Sequence, residues 1–256
     1  MSAVPNDTAC SGAVPHSPTL CVIGLGPGDP ELMTVKAERA VRRAQVIAYF
    51  AKAGRQGHAR TIVDGLLGPT CEELRLEYPF TTEVSVAEPR YHEQMHAFYD
   101  DCASRIAARL DCGRDVGLLC EGDPFFYGSA MYLFDRLAPS YSTTVIPGVT
   151  AMSGCSARAR LPITHGDDVL SVVPGTLDEQ SLAEHLRGSD ATVVMKVGRQ
   201  LGKIRRAIEL TGKLDRALYV ERGTQTEERI APLAEVGADC APYFSLIIVP
   251  GRRGRR

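Results

Sequence analysis

The sequence predicts an α/β protein made of two α/β domains with a cleft between them. Three observations carry this. Short apolar runs alternate with helical patterns along most of the 256 residues, a length that accommodates two modest cores. Glycine-rich turns follow several of the apolar runs, as at strand ends in α/β folds. The pattern breaks near 160–167, where Leu161-Pro162 and His165-Gly166 interrupt it. The expected organisation is a disordered leader over 1–18, domains over 19–160 and 161–251, and a basic tail over 252–256.

Residues 19–24 (TLCVIG) read as a buried strand. Residues 31–44 have helical character, with Leu32, Val35, Ala37 and Val41 as inner positions. A strand follows at 46–50, a short helix at 58–67 and a short strand at 73–76. A long amphipathic helix is predicted over 91–110, because Met95, Phe98, Cys102, Ile106 and Leu110 recur at spacings of three and four. A strand at 115–120, a helix at 131–137 and a strand at 143–146 complete a largely parallel sheet. The second half repeats the style, with strands at 169–173, 192–195, 217–220 and 245–249, a further one at 227–232, and helices near 178–187 and 200–210.

Apolar residues make up 44% and charged residues 23%, the balance of an ordinary soluble globular protein. A net charge of -2 gives no global electrostatic case for nucleic acid or membrane binding. The arginines of the tail are read as solvated. No apolar stretch approaches the roughly 18–20 residues of a membrane span, and the leader lacks the features of a signal peptide. The eight cysteines form no C-x-x-C pair. They are read as reduced thiols of a cytoplasmic protein, with no disulfide or metal framework.

Three loops carry candidate chemistry. The first, Gly24-Leu25-Gly26-Pro27-Gly28-Asp29-Pro30, follows the first strand and precedes a helix. That context suits a dinucleotide loop, but Asp29 stands where the third glycine would be and Pro27 offers no N–H to a phosphate. A backbone that lets a large ligand approach, and a plain tight turn with a capped helix, both remain open. The second, Cys120-Glu121-Gly122-Asp123-Pro124-Phe125-Phe126-Tyr127-Gly128, supplies carboxylates and aromatic walls, or a turn with core aromatics. The third, Ile146-Pro147-Gly148-Val149-Thr150-Ala151-Met152-Ser153-Gly154, is a Pro-Gly turn into a helix start; its small residues suit either ligand contact or capping. His92 and His96 share a helix face but lack a third ligand, so they read as solvent-facing, and no metal site is expected.

Taken together, the three loops resemble those of the tetrapyrrole methylase family, in order and at similar separations. Met195-Lys196-Val197-Gly198-Arg199 and Val220-Glu221-Arg222-Gly223-Thr224 are similar to that family's second-domain signatures. The resemblance spans about residues 19–251. Finer features are Tyr49-Phe50-Ala51-Lys52-Ala53-Gly54-Arg55 with Ala59-Arg60, Glu77-Tyr78-Pro79-Phe80-Thr81-Thr82-Glu83, and the loop from Glu121 to Ser129. They resemble the members that methylate C20 of precorrin-2. The resemblance implies two α/β domains binding S-adenosylmethionine in the cleft, a reduced tetrapyrrole as substrate and a homodimer. It implies cofactor contacts from Pro27, Glu121, Gly122, Asp123, Phe126, Thr150, Ala151, Met195 and Gly223, with Gly26 and Gly28 beside the substrate. Such a substrate carries many carboxylates, which makes Lys52, Arg55 and Arg60 candidate partners. No catalytic aspartate carries over, because Phe50 follows Tyr49 where the uroporphyrinogen methylases have Asp; Tyr127 is the weak candidate for proton chemistry. A cobalt-loaded substrate, another precorrin methylase, a dehydrogenase (disfavoured by Pro27 and Asp29) and a non-catalytic tetrapyrrole carrier are the other readings.

Overall fold

The computed structural model describes residues 17–80, 89–237 and 240–251. The leader up to residue 16, the tail from residue 252 and the segment containing Thr81, Thr82 and Glu83 lie outside the described residues. The first sheet holds β1 (Thr19–Gly24), β2 (Val46–Lys52), β3 (Glu72–Tyr78), β4 (Val116–Cys120) and β5 (Ser142–Ile146). Their order is β3-β2-β4-β1-β5 and every pairing is parallel. Parallel strands need crossovers. These are α1 (Val35–Arg43), α2 (His58–Ile62), α3 (Pro89–Asp111) and α4 (Ala130–Leu137). All five strands therefore end on one edge of the sheet, and the three loops singled out in the sequence leave from that edge.

The helix pattern read at 31–44 resolves into two pieces. Residues Pro30–Leu32 form a 3-10 turn capped by Asp29, whose side chain accepts from the Glu31 N–H at 2.9 Å. Thr34 then caps α1 by accepting from the Ala37 N–H. Ala37 and Val41 face the core, but Val35 is 61% exposed. At the first position of a helix that starts at Thr34, it lies outside the inward stripe. On α3 the predicted stripe does pack inward: Met95, Cys102, Ile106 and Leu110 are buried, with Phe98 partly so. Each such aliphatic side chain contributes about 1.5–3 kcal/mol by leaving water.

The second sheet holds β6 (Leu170–Pro174), β7 (Ala191–Met195), β8 (Leu218–Glu221), β9 (Arg229–Pro232) and β10 (Ser245–Val249), in the order β6-β7-β10-β8-β9. Here the style is not repeated. Only β6 and β7 pair in parallel; the other three pairings are antiparallel. Helix α6 (Glu179–Gly188) connects β6 to its parallel neighbour β7, and α7 (Leu201–Leu210), packed beside it, carries the chain past the place of β10 to β8, which runs in the same direction as β7. From β8 onward no α-helix intervenes among the described residues: β9 returns antiparallel beside β8, and the chain then crosses to β10, which lies antiparallel between β7 and β8. Helix α5 (Ala151–Arg158) precedes the expected boundary, yet it packs on this second sheet, with Cys155 buried against Val220, Leu246 and Ile248.

At the opposite edge of the first sheet, polar side chains tie the strand starts together. The Gln45 side chain accepts from the Asp115 N–H at 3.0 Å, and Asp115 accepts from the Thr19 N–H at 2.8 Å. The Glu72 carboxylate accepts from the Arg109 guanidinium at 2.9 and 3.1 Å and from Arg114. These bonds, Arg114 foremost, hold the Glu72 carboxyl below the usual carboxylate range. A depressed pKa stabilises the fold above the unfolded value of about 4.3 and ceases to do so as pH falls through the folded value. Because the pair is only partly shielded from water, Glu72→Gln is expected to cost about 1 kcal/mol at neutral pH. Urea denaturation will show that gap closing as the pH is lowered below about 4; a gap unchanged over that range would contradict the assignment.

Candidate active site

The carboxyl edge of the first sheet is a backbone knot. The Gly26 N–H donates to the Gly122 carbonyl at 3.2 Å and the Gly122 N–H donates to the Gly26 carbonyl at 2.7 Å, while the Leu25 N–H reaches the Cys120 carbonyl at 2.9 Å. Asp123 closes the knot from the side chain. One oxygen accepts from the Phe125 N–H at 2.9 Å and the other from the Gly148 N–H at 3.0 Å. Both oxygens are therefore engaged by the loops themselves.

The glycines serve this packing. A Cβ on Gly148 would lie 2.0 Å from the Gly122 carbonyl oxygen, and one on Gly24 would lie 2.6 Å from the Gly148 nitrogen. The Cβ direction of Gly26 meets the Leu32 carbonyl and that of Gly28 meets Gln225. Gly223 faces Cys155, and Gly154 faces Pro27 and Thr224. Gly122 differs. It has φ +68°, and the nearest atoms to its Cβ position are the Ala151 nitrogen at 3.9 Å and the Val149 oxygen at 4.0 Å. A side-chain carbon there would make only ordinary contact, with a peptide donor and a peptide acceptor. Thr150 caps α5 through Ser153, and Ala151 shares an apolar cluster with Met195 from the second sheet.

The two halves meet across these loops. The Asp29 N–H donates to Thr224 Oγ1 at 3.3 Å. Glu228 accepts from the Thr224 N–H at 2.7 Å and receives Arg158 Nε on both carboxylate oxygens at 3.0 Å. Tyr127 (φ 59°) and Lys196 (φ 55°) are left-handed residues from opposite halves. The Lys196 ammonium stands 5.5 Å from the Tyr127 ring centroid, and the Tyr127 hydroxyl contacts the Val172 carbonyl at 3.4 Å. Phe126 packs edge-on to Tyr127 at 5.1 Å.

On the β2–β3 side of the knot lies a cluster of aromatic rings. Phe50 and Tyr78 stack at 5.1 Å, and Tyr99 and Tyr132 at 4.7 Å. Tyr243 comes from the second half. It is 75% exposed, yet desolvation, with the Glu121 carboxylate next, pushes its hydroxyl up to about 12. Glu121 Oε1 accepts from the Ala59 N–H at 2.9 Å, and burial raises its carboxyl above the ordinary value against the pull of its own backbone N–H, of the Ala59 bond and of His58. Among the candidate cations, Lys52 and Arg55 stand exposed at the end of β2. Arg60 is 14% exposed and its guanidinium binds both oxygens of Glu73, with a further bond to Asp64. The structure thus brings Glu121, Gly122, Asp123, Thr150, Ala151 and Met195 together, places Pro27, Gly26, Gly28 and Gly223 in the packing beneath them, and turns Arg60 to Glu73. Sequence reasoning missed Tyr99, Tyr132, Tyr243, Thr224 and Glu228. Of these only Thr224 lay in a quoted motif, and nothing near Tyr243 in the chain signals its partner Glu121. Among the described residues no cluster of three His, Cys, Asp or Glu side chains could hold a metal.

Two substitutions separate packing from access. Gly148→Ala forces a methyl into the Gly122 carbonyl and is expected to lower stability by about 1–3 kcal/mol or more. Gly122→Ala makes only ordinary contacts and costs the left-handed backbone penalty, roughly 1–2 kcal/mol. Thermal melts of the two variants will rank them in that order; the reverse order would contradict the knot.

Comparison with known proteins agrees with this geometry. The sequence profile of the Tetrapyrrole (Corrin/Porphyrin) Methylases matches residues 19–237. A precorrin-2 C(20)-methyltransferase of Sinorhizobium sp. is 54% identical over 233 residues, covering 91% of this chain and 95% of that protein. A cobalt-precorrin-2 C(20)-methyltransferase of Salmonella typhimurium is 29% identical over 235 residues, covering 90% and 95%. The structure of uroporphyrin-III C-methyl transferase from Thermus thermophilus complexed with S-adenyl homocysteine superposes with a TM-score of 0.60 at 24% identity, covering 90% and 96%, which speaks for the fold. With its profile match across most of its length and its two α/β sheets, this chain belongs to the tetrapyrrole methylases.

Proposed function

We propose that the protein transfers the methyl group of S-adenosylmethionine to C20 of metal-free precorrin-2, giving precorrin-3A in cobalamin biosynthesis. The observation that supports this most is the 54% identity, over nearly the full length of both chains, to a precorrin-2 C(20)-methyltransferase. The cobalt-loaded substrate is the second reading, favoured by the weaker 29% match.

The residues at the knot fit the donor. Gly122 faces the Ala151 nitrogen and the Val149 oxygen at ordinary contact distance, and Ala151 and Met195 add apolar surface. Peptide groups and apolar walls suit the ribose, the base and the methionine chain of a ligand with little phosphate dependence. In this reading Pro27, Glu121, Gly122, Asp123, Phe126, Thr150, Ala151, Met195 and Gly223 form the cofactor site, some by contact and some by packing beneath it. S-adenosylmethionine supplies an electrophilic methyl group on sulfur. The chain supplies orientation: the knot fixes one side of the cleft, and the Asp29–Thr224 contact ties to it the other half, in which Glu228 and Arg158 hold Thr224 in place. Alignment of reacting atoms is the main source of acceleration for such a displacement. The acceptor lies along the aromatic cluster, with Lys52 and Arg55 at its rim to meet carboxylates; Arg60 supports the rim through Glu73. The protein works as a homodimer in a reducing, cytoplasmic setting. Seven described cysteines are unpaired, and no helix among the described residues is long and apolar enough to cross a membrane.

The test is anaerobic incubation with methyl-labelled S-adenosylmethionine and precorrin-2, followed by NMR location of the label. Label at C20 is the expected outcome. Transfer only to the cobalt-loaded substrate would select the second reading, and transfer to neither would overturn both. Arg55→Ala is expected to raise the KM for the tetrapyrrole about tenfold, as loss of one carboxylate hydrogen bond does, while the KM for S-adenosylmethionine stays unchanged.

A further inference from the structure

We propose that the Glu121 carboxylate takes up the proton lost from the methylated carbon of the acceptor. This rests on the methyl transfer proposed above and assigns the one step for which sequence reading found no convincing residue.

The argument starts from strand order. β4 lies between β2 and β1 in the sheet. At its end, consecutive residues face different neighbours. The Gly122 backbone is bonded to Gly26, on the β1 side that carries the donor loops. The Glu121 side chain reaches the β2 side, where the Ala59 N–H holds Oε1 at 2.9 Å. Glu121 therefore stands between the donor loops and the aromatic cluster beside β2 and β3, and in this proposal methyl donor and acceptor carbon meet there.

Its surroundings suit a base. Among the described residues the one basic side chain acting on Glu121 is the His58 imidazole, whose ring packs edge-on to Phe244 at 4.4 Å. The other ionisable groups it meets are Cys120 on its own strand, Tyr78 from β3 and Tyr243 from the segment before β10. Among the described residues no ion pair neutralises it, and burial makes it a stronger base than an ordinary carboxylate. The tyrosines are poorer acceptors. Tyr243 and Tyr99 are pushed up to about 12 and Tyr78 well above its usual value, so at neutral pH each carries its proton and can only donate.

The step balances without another reactant. The enamine-like electron pair of the acceptor forms the new carbon–methyl bond as the sulfur–methyl bond breaks. The acceptor carbon then carries both methyl and hydrogen, with positive charge shared onto the adjoining ring nitrogen. The carbon–hydrogen bond breaks, its electron pair restores the conjugation and discharges the nitrogen, and the proton passes to Glu121 and on to water.

The experiment compares the parent protein with Glu121→Gln, whose amide oxygen can still accept from Ala59, and with Glu121→Asp, which withdraws the carboxylate by one methylene. The acceptor carries deuterium at the methylated carbon, and single turnovers are followed by absorbance and by mass. For Glu121→Gln, compared at saturating S-adenosylmethionine because the side chain also lines the cofactor site, we expect label transferred in the first turnover and loss of deuterium slowed about 100-fold. The still-deuterated product will accumulate with its long-wavelength absorption missing, and Glu121→Asp will fall between. Loss of deuterium at the parent rate in Glu121→Gln would overturn the proposal, whatever the variant's S-adenosylmethionine affinity. Failure of methyl transfer in the parent protein itself would instead remove the activity on which the proposal rests.

Discussion

The contact on which the rest of the site depends is between backbones: Gly24, Gly122 and Gly148 touching at the carboxyl edge of the first sheet. Side chains cannot be added there without moving a neighbouring chain, since a methyl on Gly148 would sit on the Gly122 carbonyl oxygen. The closeness lets the β1 and β4 loops exchange two peptide hydrogen bonds outside any strand, and lets Asp123 bind the third loop. Three loops from three strands thus become one rigid surface. A methyl displacement needs its donor held to within a fraction of an ångström, and a surface made of peptide groups loses little entropy in providing it.

The second half is bound to that surface by polar contacts of modest strength. Glu228 is the centre. It receives the Arg158 guanidinium from α5 and the Thr224 N–H from its own loop, and Thr224 in turn receives the Asp29 N–H. Arg158 and the rest of α5 belong by packing to the second sheet, so the chain passes into the second half through the same helix whose N-terminal residues lie beside Gly122. Motion of the second half therefore moves those residues directly. Tyr127 and Lys196 face each other across the same divide, each in a left-handed conformation that costs a non-glycine residue free energy.

Much of this was legible in the sequence, and what was not has identifiable causes. Strand positions follow from short apolar runs, and the inner face of α3 from its 3–4 spacing. Val35 misled because an apolar residue at a helix start obeys the cap and not the stripe. The antiparallel half of the second sheet was hidden because strand direction depends on what connects the strands, and the connections after β8 carry weak signals. The glycines were recognised, but their purpose was ambiguous: room for a ligand and room for another backbone leave the same letter in the chain. Only the partner atoms separate Gly148, which meets the Gly122 carbonyl, from Gly122, which meets only ordinary contacts. Arg60 illustrates the same limit for charge, since it lies on α2 and its partner Glu73 sits thirteen residues away on β3.

The aromatic cluster poses a problem of charge that the fold resolves by arrangement. In the proposed reaction a substrate rich in carboxylates comes beside Glu121, itself a carboxylate without an ion pair among the described residues, and like charges in a poorly solvated space repel. The cations stand at the rim, where Lys52 and Arg55 are exposed at the end of β2, and the interior holds neutral hydroxyls from Tyr78, Tyr99 and Tyr243. A macrocycle entering with its carboxylates outward would leave its ring, not its charges, against Glu121. Methylation gives that ring a positive charge, and the charge arises beside a carboxylate held by the Ala59 N–H. The unpaired carboxylate is thus unfavourable while the cleft is empty and favourable only as the reaction proceeds, which is the differential stabilisation that catalysis requires.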